Sequence, residues 1–105
     1  MEKILCITLM MGLLATSAHS AMSQEDAHSV CGELGKLSEV LVKARYANVS
    51  AMELVEFLNG MGAFGRSLVS EVFALPDYTT ESMQVREAKL FGSRKYLECF
   101  EEVSK

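Results

Sequence analysis

The hydrophobic positions of this 105-residue chain fall into two kinds of pattern. Residues 4–15 form one uninterrupted apolar run, ILCITLMMGLLA. From residue 23 onwards, apolar residues instead recur every three or four positions, which is the spacing of one face of an α-helix. No part of the chain shows the sustained apolar–polar alternation that is typical of a β-strand. The pattern therefore predicts an all-α domain that follows a separate apolar segment.

The first two predicted helices have clear start signals. Ser23, with an acidic residue three positions later, resembles a capping box, and the apolar face that follows it runs to about Tyr46. Ser50 and Glu53 form a full capping box for a short second helix, and Asn59–Gly60 provides its stop signal. Both helix starts are thus predicted from local hydrogen-bonding chemistry as well as from periodicity.

Two further helices complete a predicted four-helix domain. The third apolar face ends at Pro76, and either Thr79 or Thr80 caps the fourth helix. The apolar face of the fourth helix consists of Val85, Ala88, Gly92, Tyr96, Cys99 and Val103. Its basic residues, among them Lys95, alternate with acidic ones and predict a solvent-exposed face. Gly32 and Gly35 lie inside the first helix, where they either let another helix approach closely or loosen its first turns.

The N-terminal apolar run has the flanks of a secretory signal peptide. Lys3 precedes the run, and the small-residue segment 16–21 follows it. The best cleavage match lies before Ala21, which predicts a signal peptide at residues 1–20 and a single helical domain at residues 21–105. The run is shorter than the roughly 20 residues that cross a bilayer, so we expect a periplasmic or secreted protein without a stable membrane span.

Signal-peptide cleavage also decides the cysteine count. It removes Cys6 and leaves Cys31 and Cys99, one on the apolar face of the first helix and one on that of the last. An even pair of cysteines in a small exported protein indicates a disulfide. We therefore predict a Cys31–Cys99 bond that closes the four-helix domain by joining its first and last helices.

Composition argues against several classes of function but does not identify one. The formal net charge is −4, and the charges are interspersed, which argues against a nucleic-acid partner. Cleavage leaves a single histidine, His28, and no local catalytic motif accompanies it, so we expect no catalytic residues and no cofactor. His28, Cys31 and Cys99 would supply only three of the four ligands of a closed zinc site, so we expect no metal either.

A glycine motif follows the second helix. Gly60, Gly62 and Gly65 match the G-x-G-x-x-G spacing of a dinucleotide-binding loop, but that loop requires a preceding strand, and here a helix is predicted. A flexible link between helices is the simpler interpretation. A second possibility is an anion held by Arg66 and by the exposed N–H groups at the start of the third helix.

Flexible apolar side chains flank this motif and are the candidate partner-binding residues. Met52, Met61 and Phe64 lie beside the glycines, where they either form an adaptable binding surface or pack into the core beneath a loop. With Arg66, they make up the partner-binding site that the sequence predicts.

Four segments resemble a family of small, largely uncharacterised secreted helical proteins from bacterial and phage genomes. They are residues 30–34 (VCGEL), residues 76–81 (PDYTTE), residues 86–88 (REA) and residues 96–100 (YLECF). The resemblance implies a helical periplasmic protein with one disulfide and implies no activity. In architecture alone, the chain is also similar to Spackle-like phage proteins and to HdeA-like acid-stress chaperones of the periplasm. We therefore expect a non-enzymatic protein that binds a protein partner in the cell envelope. It is either a phage-type modulator of a target such as a lytic enzyme, or a stress chaperone.

Overall fold

The computed structural model describes residues 22–104, and the predicted signal peptide lies outside this part of the chain. The described residues form four α-helices and no strand, which confirms the all-α prediction. The helices are α1 (Gln24–Tyr46), α2 (Ala51–Phe57), α3 (Gly62–Ala74) and α4 (Glu81–Val103). A single turn of 3-10 helix, Asn59–Met61, joins α2 to α3.

The helix starts follow the capping signals in the sequence. In each case a hydroxyl oxygen accepts a hydrogen bond from the backbone N–H three residues later. The distances are 3.0 Å at Ser23, 3.1 Å at Ser50 and 3.4 Å at Thr80. Each hydroxyl satisfies one of the N–H groups that a helix start leaves without an intrahelical partner. Of the two threonines that the sequence offered for α4, the cap is Thr80.

The glycine-rich link between α2 and α3 differs from the expected flexible segment. Only the 3-10 turn separates the two helices, and α3 already begins at Gly62. Gly62 has a φ of 59°, a backbone conformation that favours glycine. Gly65 packs so closely on Leu58 that an added Cβ would lie 2.9 Å from its carbonyl oxygen. Two of the three motif glycines therefore shape a tight corner between helices.

The long helices α1 and α4 pack against each other as an antiparallel pair. The predicted disulfide is present: Cys31 and Cys99 have an S–S distance of 2.06 Å and a Cα–Cα distance of 5.5 Å. Near the middle of the pair, Gly35 meets Gly92, and a Cβ built at Gly92 would lie 2.7 Å from the carbonyl oxygen of Gly35. Gly35 thus serves close helix approach, one of the two roles that the sequence left open. Gly32, in contrast, has no heavy atom within 4 Å of a built Cβ.

The hydrophobic core lies where α2 and α3 cover one face of this pair. Its buried members are Leu41, Val42, Leu54, Leu58, Leu68, Val69, Val72, Ala88 and Phe91. Arg45 closes the end of α3, because its Nη1 donates hydrogen bonds to the carbonyl oxygens of Val72, at 3.1 Å, and Leu75, at 2.7 Å. These oxygens lie at the C-terminal end of α3, where a helix leaves carbonyl groups unpaired.

Lys95 departs from the solvent-exposed face predicted for the basic residues of α4. It is buried, with 8% of its surface exposed, and its ammonium group donates hydrogen bonds to Glu71 on α3 and Glu98 on α4. Burial lowers the pKa of Lys95, but the hydrogen bonds to the two carboxylates outweigh this effect and leave the pKa raised. The ion pair therefore ties α3 to α4 beside the core.

We expect the protein to lose stability at strongly alkaline pH. Tyr46, like Lys95, has a raised pKa, and for this tyrosine the main cause is burial. Its hydroxyl donates a hydrogen bond of 2.6 Å to the Pro76 carbonyl oxygen. A group whose pKa is raised by folding contributes stability that is complete below its unfolded pKa, which is 10.5 for lysine and 10.0 for tyrosine. That contribution disappears as the pH rises through the folded pKa. Urea unfolding between neutral and alkaline pH measures the decline.

Two lysine variants separate this effect from general charge effects. Lys95→Met should flatten the alkaline decline, because it removes one of the two groups whose pKa is raised. Lys36→Met is the matched control, since Lys36 is exposed and makes only a 3.9 Å pair with Glu33. An alkaline decline of the same size in the wild type and in Lys95→Met would contradict the assignment to Lys95.

Candidate functional site

Large apolar side chains that face solvent are the most informative feature of the molecular surface. Four of them lie on α2, on the 3-10 turn and on the first turn of α3, and we call this set the α2–α3 corner. Its members and their exposed fractions are Met52 (74%), Phe57 (70%), Met61 (36%) and Phe64 (50%). Exposed methionine and phenylalanine side chains are typical of surfaces that bind another protein, and they carry no group that could react with a small molecule.

The sequence-predicted site residues lie on α2, on the 3-10 turn and near the start of α3. Met52 lies in the first turn of α2, Met61 ends the 3-10 turn, and Phe64 and Arg66 lie near the start of α3. Both Met52 and Phe64 are at least half exposed, which does not fit the alternative that they are core residues. Arg66 is exposed as well. Their role in binding a partner stays a prediction.

Phe57 belongs to the corner but was missed from the sequence. It lies three residues after Leu54 and one before Leu58, both of which are buried. Helical spacing alone groups Phe57 with Leu54, and that would place it in the core. The structure shows that α2 turns its Leu54–Leu58 edge inward and leaves the Phe57 ring in solvent. No local sequence signal distinguishes these two edges.

Exposed charged residues lie on the same two helices as the corner. Glu53 and Glu56 are exposed on α2, and Arg66 is exposed on α3. The Glu53 carboxylate accepts a 3.2 Å hydrogen bond from the Ser50 hydroxyl, which holds it at the start of α2. Protein–protein interfaces combine apolar and charged residues in this way.

A concave surface lies apart from the α2–α3 corner. It is an open groove of about 920 Å³ between α1 and α4, and none of its lining residues comes from α2 or α3. Gly32, Gly35 and Gly92 form part of its lining. The Nδ1 atom of His28 lies 2.7 Å from the Tyr96 hydroxyl in the same groove, with the two rings edge to face.

The contacts of His28 bear on the metal and catalytic alternatives. One ring nitrogen of His28 is hydrogen-bonded to Tyr96, and Cys31 and Cys99 form the disulfide. The three side chains therefore do not form a set of zinc ligands. Among residues 22–104, no group of three His, Cys, Asp or Glu side chains could hold a metal ion. The G-x-G-x-x-G motif follows a helix and not a strand, so the context of a dinucleotide-binding loop is missing there.

Comparison with known proteins adds no relative to this picture: no family model, no curated protein and no solved structure matches the chain. The resemblance to small secreted proteins of bacterial and phage genomes therefore stays a prediction. In the part of the chain that the structure describes, no helix has the length and hydrophobicity needed to cross a bilayer. The class that the fold defines is a small, disulfide-closed helical domain with an exposed apolar corner.

Proposed function

We propose that this chain is an exported, non-enzymatic protein-binding domain and that the α2–α3 corner is its contact surface. The observation that carries the proposal is the exposure of two phenylalanines and two methionines on α2, the 3-10 turn and the first turn of α3, in a domain that also has a buried core. Apolar and aromatic anchors supply most of the free energy of binding in protein interfaces.

The energetic gain from covering the corner is substantial for so small a surface. Burying a fully exposed phenylalanine side chain contributes roughly 1.5–3 kcal/mol. Phe57 and Phe64 keep 70% and 50% of their surfaces in water. Covering both would therefore contribute about 2–4 kcal/mol, and the methionines can adjust their side chains to the shape of the partner.

The form of this function that we favour is a phage-type modulator of an envelope target, such as a lytic enzyme that cleaves peptidoglycan. The signal-peptide pattern supports an extracytoplasmic location, and the Cys31–Cys99 bond suits an oxidising compartment. A compact domain that offers one preformed apolar surface can block a partner without any chemistry of its own. The lytic enzyme as the target comes from architectural similarity to Spackle-like proteins.

One observation favours a second candidate, an acid-activated chaperone. Lys95 joins α3 to α4 through Glu71 and Glu98, and strong acid would neutralise both carboxylates. The buried ammonium group would then lose its charged partners, and α3 could separate from the helix pair. Separation would expose the core residues Leu68 and Val72 to unfolded client proteins.

Phe64→Ala and Phe57→Ala are each expected to weaken inhibition of the target by at least about ten-fold, because each removes an aromatic anchor. The measurement uses protein purified from the periplasm, with its N-terminus determined by intact mass. It is titrated at neutral pH against a purified muramidase, a lytic transglycosylase and an amidase, with cell-wall clearing as the readout. Inhibition of one enzyme class is the expected result.

Val40→Ala is the matched control, since Val40 is 55% exposed on α1, away from the corner. It should leave inhibition unchanged, and all three variants should keep a melting temperature close to that of the wild type. A loss of about 3–5 kcal/mol in Phe64→Ala would show that the ring is core and would remove the corner as a site. Protection of many clients in acid, without inhibition of any enzyme, would favour the chaperone.

A further inference from the structure

One face of α4 carries a line of partly exposed apolar side chains, the last of which, Leu97, also lines the groove between α1 and α4. Met83, Leu90 and Leu97 are 37%, 52% and 63% exposed. They are spaced by seven residues, which is close to two helical turns, so they lie along one line. We call them the outer stripe. At 1.5 Å per residue, the stripe is about 21 Å long.

Two opposite charges lie symmetrically about the midpoint of Leu90 and Leu97, the two most exposed residues of the outer stripe. This midpoint falls between Ser93 and Arg94. It is also the midpoint between Arg86 and Glu101, both of which are exposed. A basic residue on the N-terminal side of the midpoint therefore matches an acidic residue at the same distance on the C-terminal side.

The opposite charges of Arg86 and Glu101 about this midpoint match a second, antiparallel copy of α4. If a second copy of α4 lies antiparallel along the stripe, Leu90 packs against Leu97 of the second copy, and Arg86 faces its Glu101. We propose that the outer stripe binds a second copy of this chain, with the two α4 helices antiparallel.

The residues at the midpoint of Leu90 and Leu97 are compatible with this pairing. The Ser93 side chain is small and lets two helices approach. The guanidinium carbon of Arg94 lies 5.0 Å from the ring centre of Phe91, so the charge leans towards its own helix and away from the stripe. A parallel arrangement would instead place Arg86 beside Arg86 and Glu101 beside Glu101, and both pairings are repulsive.

The size of the contact sets its expected strength. The helix has 23 residues and is thus about 34 Å long. A single helix seam of that length covers less than the roughly 800 Å² per partner of a standard interface. The dimer should therefore be reversible, with a dissociation constant in the micromolar to millimolar range.

Sedimentation equilibrium of the mature protein across this concentration range tests the proposal. We expect a monomer–dimer equilibrium, and Leu90→Gln should raise the dissociation constant by at least about ten-fold. Val40→Gln, at an equally exposed valine of α1, should not change it, and neither should Phe64→Ala in the α2–α3 corner. Circular dichroism confirms that each variant stays folded. A wild type that is monomeric throughout, or equal effects of Leu90→Gln and Val40→Gln, would overturn the proposal.

Charge reversal tests the antiparallel orientation. Arg86→Glu alone places two glutamates opposite each other in both symmetric contacts, and Glu101→Arg alone places two arginines there. Each variant should fail to dimerise by itself. A mixture of the two should form a heterodimer, because every contact then joins one glutamate to one arginine. A mixture that associates no better than the single variants would overturn the antiparallel pairing.

Discussion

Reduction of the Cys31–Cys99 disulfide is expected to lower the free energy of unfolding by about 4 kcal/mol. The two cysteines are 68 residues apart, and a cross-link that closes so long a loop restricts the unfolded chain strongly. Single domains have a total stability of only about 5–15 kcal/mol. In a domain of this size, the melting temperature should fall by roughly 20 °C. Urea unfolding of the native and the dithiothreitol-reduced protein measures the difference.

Cysteine variants distinguish the cross-link from the packing of the sulfur atoms. Cys31→Ala/Cys99→Ala should match the reduced wild type and should not respond to reductant. Cys31→Ser should be less stable than Cys99→Ser, because Cys31 is fully buried, whereas Cys99 is only partly buried. Equal stability of the native and reduced proteins would mean that the helix pair holds together without the bond.

Gly92→Ala is expected to destabilise the protein by about 2–3 kcal/mol, the second largest effect. A Cβ at this position would lie 2.7 Å from the backbone carbonyl oxygen of Gly35, and a backbone atom cannot move without displacing its helix. The substitution therefore forces α1 and α4 apart, and the packing of these two helices is the most extensive contact between elements in the described structure. Thermal and urea unfolding measure the loss.

Gly32→Ala is the matched control on α1. Nothing lies within 4 Å of its added Cβ, so the substitution should stabilise the domain by about 0.5–1 kcal/mol through the higher helix propensity of alanine. Gly35→Ala should follow Gly92→Ala in direction, since its Cβ would lie 3.0 Å from the Gly92 carbonyl oxygen. If Gly92→Ala and Gly32→Ala had the same effect, the close helix approach would not limit stability.

Part of the candidate site could be predicted from the sequence. Glycines near Met61 and Phe64 indicated a junction with adaptable apolar groups, and Met52, Met61 and Phe64 are exposed in the structure. Phe57 could not be found in this way, because its spacing from Leu54 is that of a core residue. Which edge of a short helix faces inward depends on the element that packs against it, and a seven-residue helix has too few turns to show that preference.

The sequence by itself determined the secondary structure and the covalent closure of this protein. Ser23 and Ser50 start helices because a hydroxyl at these positions satisfies N–H groups nearby in the chain, and the Thr79–Thr80 pair placed the start of α4 to within one residue. The pairing of Cys31 with Cys99 followed from counting, since cleavage of the predicted signal peptide leaves no other cysteine. Signals of this kind are local or arithmetical, so no knowledge of packing is needed to use them.

Only the tertiary structure decided how individual residues within those helices are used. Gly32 and Gly35 are equivalent in the sequence, yet only Gly35 meets the backbone of another helix. Lys95 belongs to a charged pattern typical of an exposed face, yet α3 covers it and supplies Glu71. These outcomes depend on contacts between residues that are distant in the chain. Local periodicity carries no information about such contacts, because it describes one helix at a time.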